Sequence, residues 1–232
     1  MNLPLLELVG VEKRFGFHQV LRNIELKLND GEFILLLGNN GTGKSTLLKI
    51  ICLLMKPTAG EILHRGEPLQ EQSRSWLKLI GSLTHESRLY RDLTAQENLM
   101  VYGTLYDLPN LSQRIEHALE ETGLTHAAKL PVHTFSSGMN KRLRIGRLIM
   151  LEPKFMILDE PFSGLDQNSV NWFLSYLEQY HRKGGTVMMV THQLDLGLKL
   201  STRVLVLKQQ KILKDLETPS VNTSQCEDLL KE

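Results

Sequence analysis

The segment Gly-Asn-Asn-Gly-Thr-Gly-Lys-Ser at residues 38–45 constrains the fold more than any other part of the chain. A glycine, four residues and then Gly-Lys-Ser is the spacing of a P-loop. The apolar run 33–37 before it predicts a buried strand, and residues 45–55 after it predict a helix. Because strand, glycine-rich loop and helix follow in the order that the motif requires, the expected ligand is a nucleoside triphosphate.

The loop supplies the groups that a triphosphate needs. Its backbone N–H groups and the positive end of the helix dipole favour an anion. Lys44 is expected to reach the β- and γ-phosphates, and the Ser45 hydroxyl to bind Mg²⁺. A chance glycine-rich turn is the alternative, which the flanking patterns disfavour. The residues expected to surround the nucleotide phosphates are Gly38, Asn39, Asn40, Gly41, Thr42, Gly43, Lys44, Ser45 and Thr46.

Composition narrows the partners and the location. The 232 residues include 27 Lys and Arg against 26 Asp and Glu, so there is no basic field and no nucleic acid partner is expected. No apolar run approaches the roughly 18 residues that cross a bilayer, and the N-terminus lacks a secretory signal pattern. The two cysteines, Cys52 and Cys226, fit a reduced, cytoplasmic setting.

The hydrophobic pattern predicts one α/β domain over residues 1–232. Residues 1–72 and 151–216 are expected to form its core, because short apolar runs alternate there with helical patterns. Residues 73–150 carry apolar residues at three- and four-residue spacings and are expected to form a helical subdomain. The polar residues 217–232 are expected to form a surface tail.

The strand patterns predict the kind of sheet. Short alternating runs near the N-terminus predict antiparallel strands. The runs 155–158, 186–190 and 204–207 are apolar apart from Thr186, which is typical of parallel strands covered on both faces. The expected fold class is therefore α/β, with a mostly parallel sheet and additional N-terminal antiparallel strands.

Three polar residues follow two of these strands. Asp159 and Glu160 come after 155–158, at the strand end where α/β sheets bind ligands. Adjacent carboxylates point in different directions, so Asp159 is expected to hold Mg²⁺ and Glu160 to act as general base. His192 follows the strand 186–190 and is expected to orient the attacking water. An ordinary acidic strand end and a structural histidine are the alternatives, which the nearby P-loop disfavours.

A second anion site is predicted at the start of another helix. Ser136, Ser137 and Gly138 are small residues that precede a long helical pattern. One nucleotide cannot easily occupy two such helix starts in one chain. A head-to-tail dimer resolves this, because the P-loop of one copy and Ser136–Gly138 of the other would enclose the same ATP. The segment 163–166, which includes Asp166, is expected to lie near the crossing point.

The P-loop, Phe-Ser-Ser-Gly-Met at 135–139, Asp159-Glu160, Ser-Gly-Leu-Asp at 163–166 and His192, in this order, resemble the ATP-binding subunit of an ABC transporter. The likeness extends from Phe15 to about Ile212. It implies an ATPase with a P-loop core and a helical signature subdomain, which uses ATP and Mg²⁺ and works with integral-membrane subunits. It also implies that Phe15 stacks on adenine, where the family more often has tyrosine.

Two departures accompany the resemblance. The family signature is usually Leu-Ser-Gly-Gly-Gln, but Ser136 and Gly138 are kept. His85 stands where most members have the Q-loop glutamine, and it is expected to form a hydrogen bond with water or a γ-phosphate oxygen instead. The surrounding segment 84–108 resembles the haem exporter of cytochrome c maturation. This implies haem handling through the membrane partners only, at the cytoplasmic face of the inner membrane.

The membrane subunits are expected to dock between Gly81 and Asn98. Leu89, Tyr90 and Leu93 are the candidate anchors, although they can instead pack the subdomain. An exporter of a drug, lipid or peptide is the main alternative function. A soluble ABC ATPase acting on ribosomes or DNA, and a nucleotide-gated subunit with negligible hydrolysis, are weaker alternatives.

Overall fold

A computed structural model describes residues 3–69, 73–84 and 89–231, and the backbone alone of Pro219. The strands are β1 (Leu6–Phe15), β2 (His18–Leu28), β3 (Phe33–Leu37), β4 (Ala59–His64), β5 (Glu67–Pro68), β6 (Ile80–Leu83), β7 (Phe155–Asp159), β8 (Thr186–Val190), β9 (Arg203–Lys208) and β10 (Lys211–Glu217). The α-helices are α1 (Lys44–Ile51), α2 (Ser73–Leu79), α3 (Ala95–Leu105), α4 (Leu111–Glu121), α5 (Ser137–Leu151), α6 (Gln167–Arg182), α7 (Leu194–Leu200) and α8 (Thr223–Lys231). Short 3₁₀ helices cover Thr125–Ala127, Val132–Thr134 and Thr218–Ser220.

The larger sheet has six strands in the order β10-β9-β3-β8-β7-β6. All of its pairs are parallel except that of β10 with β9, which is antiparallel. The smaller sheet has the order β2-β1-β4-β5 and is antiparallel throughout. These two sheets confirm the predicted α/β class with N-terminal antiparallel strands.

The central strand β3 separates two hydrophobic cores. Ile34 and Leu36 face a core shared with α1 and the smaller sheet. Phe33, Leu35 and Leu37 face the opposite core, which contains α3 to α6. Successive side chains of a strand point to opposite faces, so five consecutive apolar residues are needed to fill both sides. The helix that follows the P-loop is therefore clamped between the two sheets.

The block predicted to be helical contains a strand. Most of residues 73–150 form helices, and α3, α4 and α5 share one core. Residues Ile80–Leu83, however, form β6, which pairs in parallel with β7 at the edge of the larger sheet. A run of four residues is too short for its apolar pattern to distinguish strand from helix.

The predicted surface tail is a packed helix. In α8 the side chain of Cys226 is fully buried, and Leu229 and Leu230 pack against the core that contains α3 to α6. These three residues have i, i+3 and i+4 spacing, so they form one apolar face within a polar segment. The Thr223 hydroxyl also donates to an Asp195 carboxylate oxygen at 2.6 Å, which fixes α8 beside α7. Across the described ranges, the helices are too short or too polar to span a bilayer.

Candidate functional site

A cleft opens where β3, β7 and β8 end. The carboxyl ends of parallel strands meet at the same edge of a sheet, which places the P-loop beside the residues that follow β7 and β8. The residues that line this cleft are Val20, Asn40, Gly41, Gly43, Lys44, Ser45, Thr46, Asp159, Glu160, Val190 and His192. The structure thus brings six residues of the P-loop, 40–46 without Thr42, together with strand ends that are more than 100 positions away in sequence.

Two glycines of the loop have no room for a side chain. Gly43 caps α1 with a φ of 105°, and an added Cβ would lie 3.0 Å from the Val20 carbonyl oxygen. An added Cβ at Gly38 would overlap the Leu207 carbonyl oxygen. Both positions therefore require glycine for the loop to curl between β2 and β9. The Thr42 hydroxyl donates to the Asn39 carbonyl at 2.8 Å and closes the curl.

Lys44 places a buried cation inside the curl. Its Nζ donates to the carbonyl oxygens of Gly38 at 2.6 Å and Asn39 at 3.0 Å. Burial lowers the pKa of Lys44, while Asp159 and Glu160 act in the opposite direction. The amine therefore lies among backbone dipoles and carboxylates, where an incoming phosphate offers it a stronger acceptor.

Ser45 and Asp159 form a pair of oxygen donors. The Ser45 Oγ lies 3.2 Å from Asp159 Oδ2, and Asp159 is buried. Hydroxyl and carboxylate oxygens suit Mg²⁺, which is usually held by one or two protein groups together with substrate phosphates and water. No cluster of three or more His, Cys, Asp or Glu side chains that could hold a metal ion occurs among the described residues. The Ser45 and Asp159 oxygens are the donor types that Mg²⁺ prefers, and their role as its ligands stays a prediction.

Glu160 has an unusual backbone and a free carboxylate oxygen. Its φ is 48°, in the left-handed region that side chains rarely adopt. Its Oε2 accepts a hydrogen bond from the His192 backbone N–H at 3.3 Å. Its Oε1 is buried and accepts no hydrogen bond within the described part of the chain, and His192 Nε2 lies 3.6 Å from it. The His192 side chain itself is 63% exposed.

Lys141 is a residue of this site that sequence reasoning missed. From the buried side of α5 its Nζ donates to the Glu160 carbonyl oxygen at 2.7 Å. A signal was present, because Lys141, Ile145 and Leu148 have i, i+4 and i+7 spacing and so share the buried face of the helix. A cation on that face needs a polar partner.

The start of α5 lies outside this cleft. Ser136 and Ser137 are exposed, and the Ser136 hydroxyl accepts the Met139 N–H at 3.2 Å as a helix cap. A methyl group at Gly138 would lie 3.6 Å from the Gly164 carbonyl oxygen, so the 163–166 turn lies beside this helix start. No residue of Ser136–Gly138 is among the described residues that line the cleft of the same chain.

Asp166 has a structural partner. Its carboxylate caps α6 by accepting the Ser169 N–H and the Ser169 hydroxyl, both at 2.9 Å. These two hydrogen bonds lower the pKa of Asp166. The side chain is exposed at the surface that the 163–166 turn shares with the start of α5.

Two further predicted residues, Phe15 and Asn39, are not among the described residues that line the cleft. Phe15 ends β1 at the turn to β2 and is 49% exposed, with Lys13 Nζ 5.2 Å from its ring centre. Asn39 turns away from the cleft, since its side-chain amide donates to the Leu230 carbonyl of α8 at 2.9 Å. His85 lies outside the described residues, so its predicted role stays a prediction.

The fold and this loop define a P-loop nucleotide-binding protein, and comparison with known proteins gives the family. The ABC transporter family profile matches residues 21–163, which is more than half of the chain. The chain belongs to this family, as the order of its motifs predicted. It is the ATP-binding subunit of an ABC transporter and an ATPase.

Three relatives cover most of the chain. The linearmycin resistance ATP-binding protein LnrL of Bacillus subtilis is 34% identical over 90% of this chain and 68% of its own length. The cytochrome c biogenesis ATP-binding export protein CcmA 1 of Cupriavidus metallidurans is 31% identical, over 88% of this chain and 98% of its own. The lantibiotic transport ATP-binding protein SrtF of Streptococcus pyogenes is 33% identical, over 92% and 91%.

Solved structures share the fold. An ATP-binding subunit of an ABC transporter superposes with a TM-score of 0.90 at 25% identity, covering 98% of this chain and all of that one. The ATP-binding cassette MJ0796 superposes with a TM-score of 0.81 at 25% identity, over 92% of this chain and 98% of that one. The MJ0796 structure is a dimer in a post-hydrolysis state with bound ADP and phosphate.

Proposed function

We propose that the cleft binds ATP and that Glu160 is the general base for its hydrolysis. One observation carries this proposal: the buried Oε1 of Glu160 accepts no hydrogen bond from the described residues, in the same cleft as Lys44. A carboxylate oxygen without a donor is free to accept a proton from water. The water oxygen then attacks the γ-phosphorus, the bond to the β–γ bridging oxygen breaks, and ADP and phosphate result.

The P-loop holds the charge of the substrate. Lys44 exchanges its bonds to the Gly38 and Asn39 carbonyls for phosphate oxygens, while the loop N–H groups and the start of α1 face the phosphates. Ser45 and Asp159 are the residues that hold Mg²⁺. When bound, Mg²⁺ neutralises charge that develops on the β- and γ-phosphates.

Two further residues orient the reactants. His192 Nε2, near the free oxygen of Glu160, faces the position of the attacking water and holds it in line. Phe15 offers a half-exposed ring to adenine, and stacking needs only the face of that ring. Val20 and Leu21 contact Gly43 and so hold the hairpin that carries Phe15 beside the P-loop.

The working state is a head-to-tail dimer. Ser136 and Ser137 are exposed and Gly138 is half-buried, and among the described residues this helix start does not line the cleft of its own chain. An N-terminus of the 15-residue helix α5 is an anion site, and the ATP of a second copy is its ligand. Asp166 and its turn then lie at the crossing between copies. The dimeric state of MJ0796 supports this arrangement.

The membrane subunits dock beside the same helical block. Gly81, Ser82 and Thr84 line a cleft together with Leu77 and Tyr102, and Tyr90 is 50% exposed next to the Tyr102 ring. These residues form the proposed docking surface, at the cytoplasmic face of the inner membrane.

Part of the predicted docking segment packs inward instead. Leu89 packs against the core and Leu93 is half-buried, so Tyr90 is the remaining candidate anchor of the three. Asn98 is fully buried and holds the segment by hydrogen bonds to the backbone of Tyr90, Leu93 and Thr94. Its role is therefore structural.

The transported substrate is haem, or an intermediate of cytochrome c biogenesis, carried by the membrane partners. The relation to CcmA 1 over 98% of that protein's length and the resemblance in segment 84–108 support this. Export of an antibiotic or a lantibiotic peptide is the second candidate, because LnrL and SrtF are 34% and 33% identical to this chain.

Two experiments test these proposals. Glu160→Gln is expected to lower ATP turnover by about 10²–10⁴-fold, retain ATP binding and accumulate an ATP-bound dimer in size-exclusion chromatography. Turnover near that of the wild type would exclude Glu160 as the base.

For the substrate, loss of this protein is expected to remove covalently haem-bound c-type cytochromes from haem-stained gels. Normal cytochromes together with new sensitivity to a linearmycin or a lantibiotic would favour the second candidate.

A further inference from the structure

Lys141 connects α5 to the backbone of Glu160. The side chain is buried one turn into the helix, and its Nζ lies 2.7 Å from the Glu160 carbonyl oxygen. A buried ammonium group without acceptors is strongly disfavoured, so this contact is specific rather than incidental. Burial and Arg144 lower the pKa of Lys141 to about 8, against the opposing effects of Glu160 and Asp159, so the group is charged at neutral pH.

The backbone that Lys141 holds is strained. Glu160 has a φ of 48° although it carries a long side chain. It also precedes Pro161, and residues before proline favour extended backbone. Such a conformation persists only where surrounding contacts enforce it.

Four hydrogen bonds enforce the conformation of Glu160. Its N–H donates to the Val190 carbonyl at 2.9 Å, and its Oε2 accepts the His192 N–H. Its carbonyl accepts from Lys141 at 2.7 Å and from the Ser163 N–H at 3.3 Å. The first two come from β8 and the residues after it, and the Ser163 bond closes the local turn. Among the four, the bond from Lys141 is the one that comes from α5 and the shorter of the two at the carbonyl.

We propose that Lys141 is a positioning residue, which holds the left-handed backbone of Glu160 and thereby aims the free carboxylate oxygen at the attacking water. This inference rests on the proposed role of Glu160 as the base. The position of Lys141 on α5 also has a consequence for the proposed dimer. The start of α5 contacts the ATP of the partner copy, whereas Lys141 on the same helix contacts the base of its own copy. Each α5 therefore links the two nucleotide sites.

Steady-state kinetics with MgATP test this role. Lys141→Met keeps the length of the side chain but removes the donor, and it is expected to lower kcat at least tenfold with the KM for ATP changed less than twofold. Lys141→Arg restores a cationic donor and is expected to recover at least a third of the wild-type kcat. If Lys141→Met is insoluble, Lys141→Gln, whose amide is too short to reach the carbonyl, is expected to show the same loss.

Arg114→Met is the matched control. Arg114 donates to the Met150 carbonyl at 3.0 Å, so it also binds a carbonyl with a cation, but at the opposite end of α5. Its kcat is expected to stay within twofold of the wild type. An equal fall of kcat in Arg114→Met and Lys141→Met would show a general loss of helix packing and overturn the proposal.

A double variant separates this inference from the assignment of the base. In a Glu160→Gln background, Lys141→Met is expected to lower the residual turnover less than twofold, because Lys141 acts through the Glu160 carboxylate. A further tenfold loss there would show an independent role and overturn the proposal. An inactive Glu160→Gln beside a fully active Lys141→Met would overturn the positioning role alone. An active Glu160→Gln would instead remove the proposed base.

Discussion

The P-loop and the start of α5 are both helix N-termini built from small residues, yet they differ in what surrounds them. The P-loop curls around Lys44 and lies in contact with Asp159, so cation, hydroxyl and carboxylate meet within one chain. The start of α5 is exposed, and apart from its own cap its described neighbour is the 163–166 turn. The first is a nearly complete site, whereas in the proposed dimer the second supplies half of one.

This difference predicts that damage at the two places has different effects. A change in the P-loop is expected to impair the nucleotide site of the chain that carries it. A change at the start of α5 is expected to impair the site of the other chain and to leave ATP binding by its own P-loop intact. The following experiments are ordered by the size of the expected effect.

Gly138→Asp is expected to give the largest effect. A carboxylate at a helix N-terminus is compatible with the helix dipole, and Cβ has room there, so the fold is expected to persist. The same charge repels the phosphates of the partner copy, and ATP turnover is expected to fall by about 10²–10³-fold. Calorimetric ATP affinity is expected to change less than threefold. Unchanged turnover would contradict a role of this helix start in a shared site.

Mixing two inactive variants sharpens the comparison. A dimer of Gly138→Asp with Lys44→Ala keeps one site in which the P-loop and the facing α5 are both wild type. Random pairing of equal amounts makes half of the dimers mixed, so up to about a quarter of the wild-type turnover is expected to return. Each variant incubated alone is the control. If the mixture hydrolyses ATP no faster than the separate variants, the P-loop of one chain and the α5 of the other do not form a shared site.

Lys44→Ala removes the cation of the P-loop site. ATP affinity is expected to fall by about 10- to 150-fold, since hydrogen bonds to charged groups contribute about 1.5–3 kcal/mol. Isothermal titration with ATP measures the effect, and Lys214→Ala, an exposed lysine on β10, is the control. Wild-type affinity in Lys44→Ala would exclude the predicted P-loop role.

Phe15→Ala is expected to have a smaller effect on ATP binding at the same P-loop site. Loss of a stacking ring corresponds to about 0.5–1.5 kcal/mol, or roughly a 2- to 10-fold higher KM for ATP with little change in kcat. Phe15→Tyr is expected to behave like the wild type because it keeps the ring face. A KM that is unchanged by Phe15→Ala would place adenine elsewhere.

The last prediction concerns stability rather than activity, at Lys141, the residue that joins the two regions. The pKa of Lys141 is lowered from 10.5 to about 8, so between these pH values the unfolded chain binds more protons than the folded chain. The contribution of Lys141 to the free energy of unfolding therefore rises with pH across this window.

Lys141→Met lacks this rise. The free energy of unfolding of the wild type minus that of Lys141→Met is expected to increase by about 1–3 kcal/mol from pH 7 to pH 10, at about 1.4 kcal/mol per pKa unit. Urea denaturation of both proteins at the two pH values measures the difference. A constant difference would contradict the lowered pKa.

The sequence predicted those features that local patterns encode. The strand before the P-loop, the strand that ends at Asp159 and the strand before His192 each have five consecutive buried residues, and their carboxyl ends meet at the same edge of the sheet. Their adjacency followed from the rule that parallel strands end together. The meeting of Ser45 with Asp159 could thus be expected across 114 positions.

Other features depend on contacts that no local pattern reports. The left-handed backbone of Glu160 is held by hydrogen bonds from β8 and α5 in addition to the local bond from the Ser163 N–H, and the two distant bonds are not visible in the sequence around Glu160. Helix α1 ends at Ile51, four residues before the end of the apolar run, because Leu53 adopts a φ of 57°. Helix α8 was missed since its average composition is polar, although Cys226 and its apolar neighbours face the core.

The hydrogen bond from Asn39 to Leu230 has a practical consequence for anyone who purifies this protein. The last turn of α8 binds a residue of the P-loop, so a tag or fluorescent protein fused directly after α8 would disturb the conformation of the loop. Nucleotide affinities measured with such a fusion would then differ from those obtained with an N-terminal tag. A cleavable N-terminal tag is the safer choice for calorimetry and for transport assays.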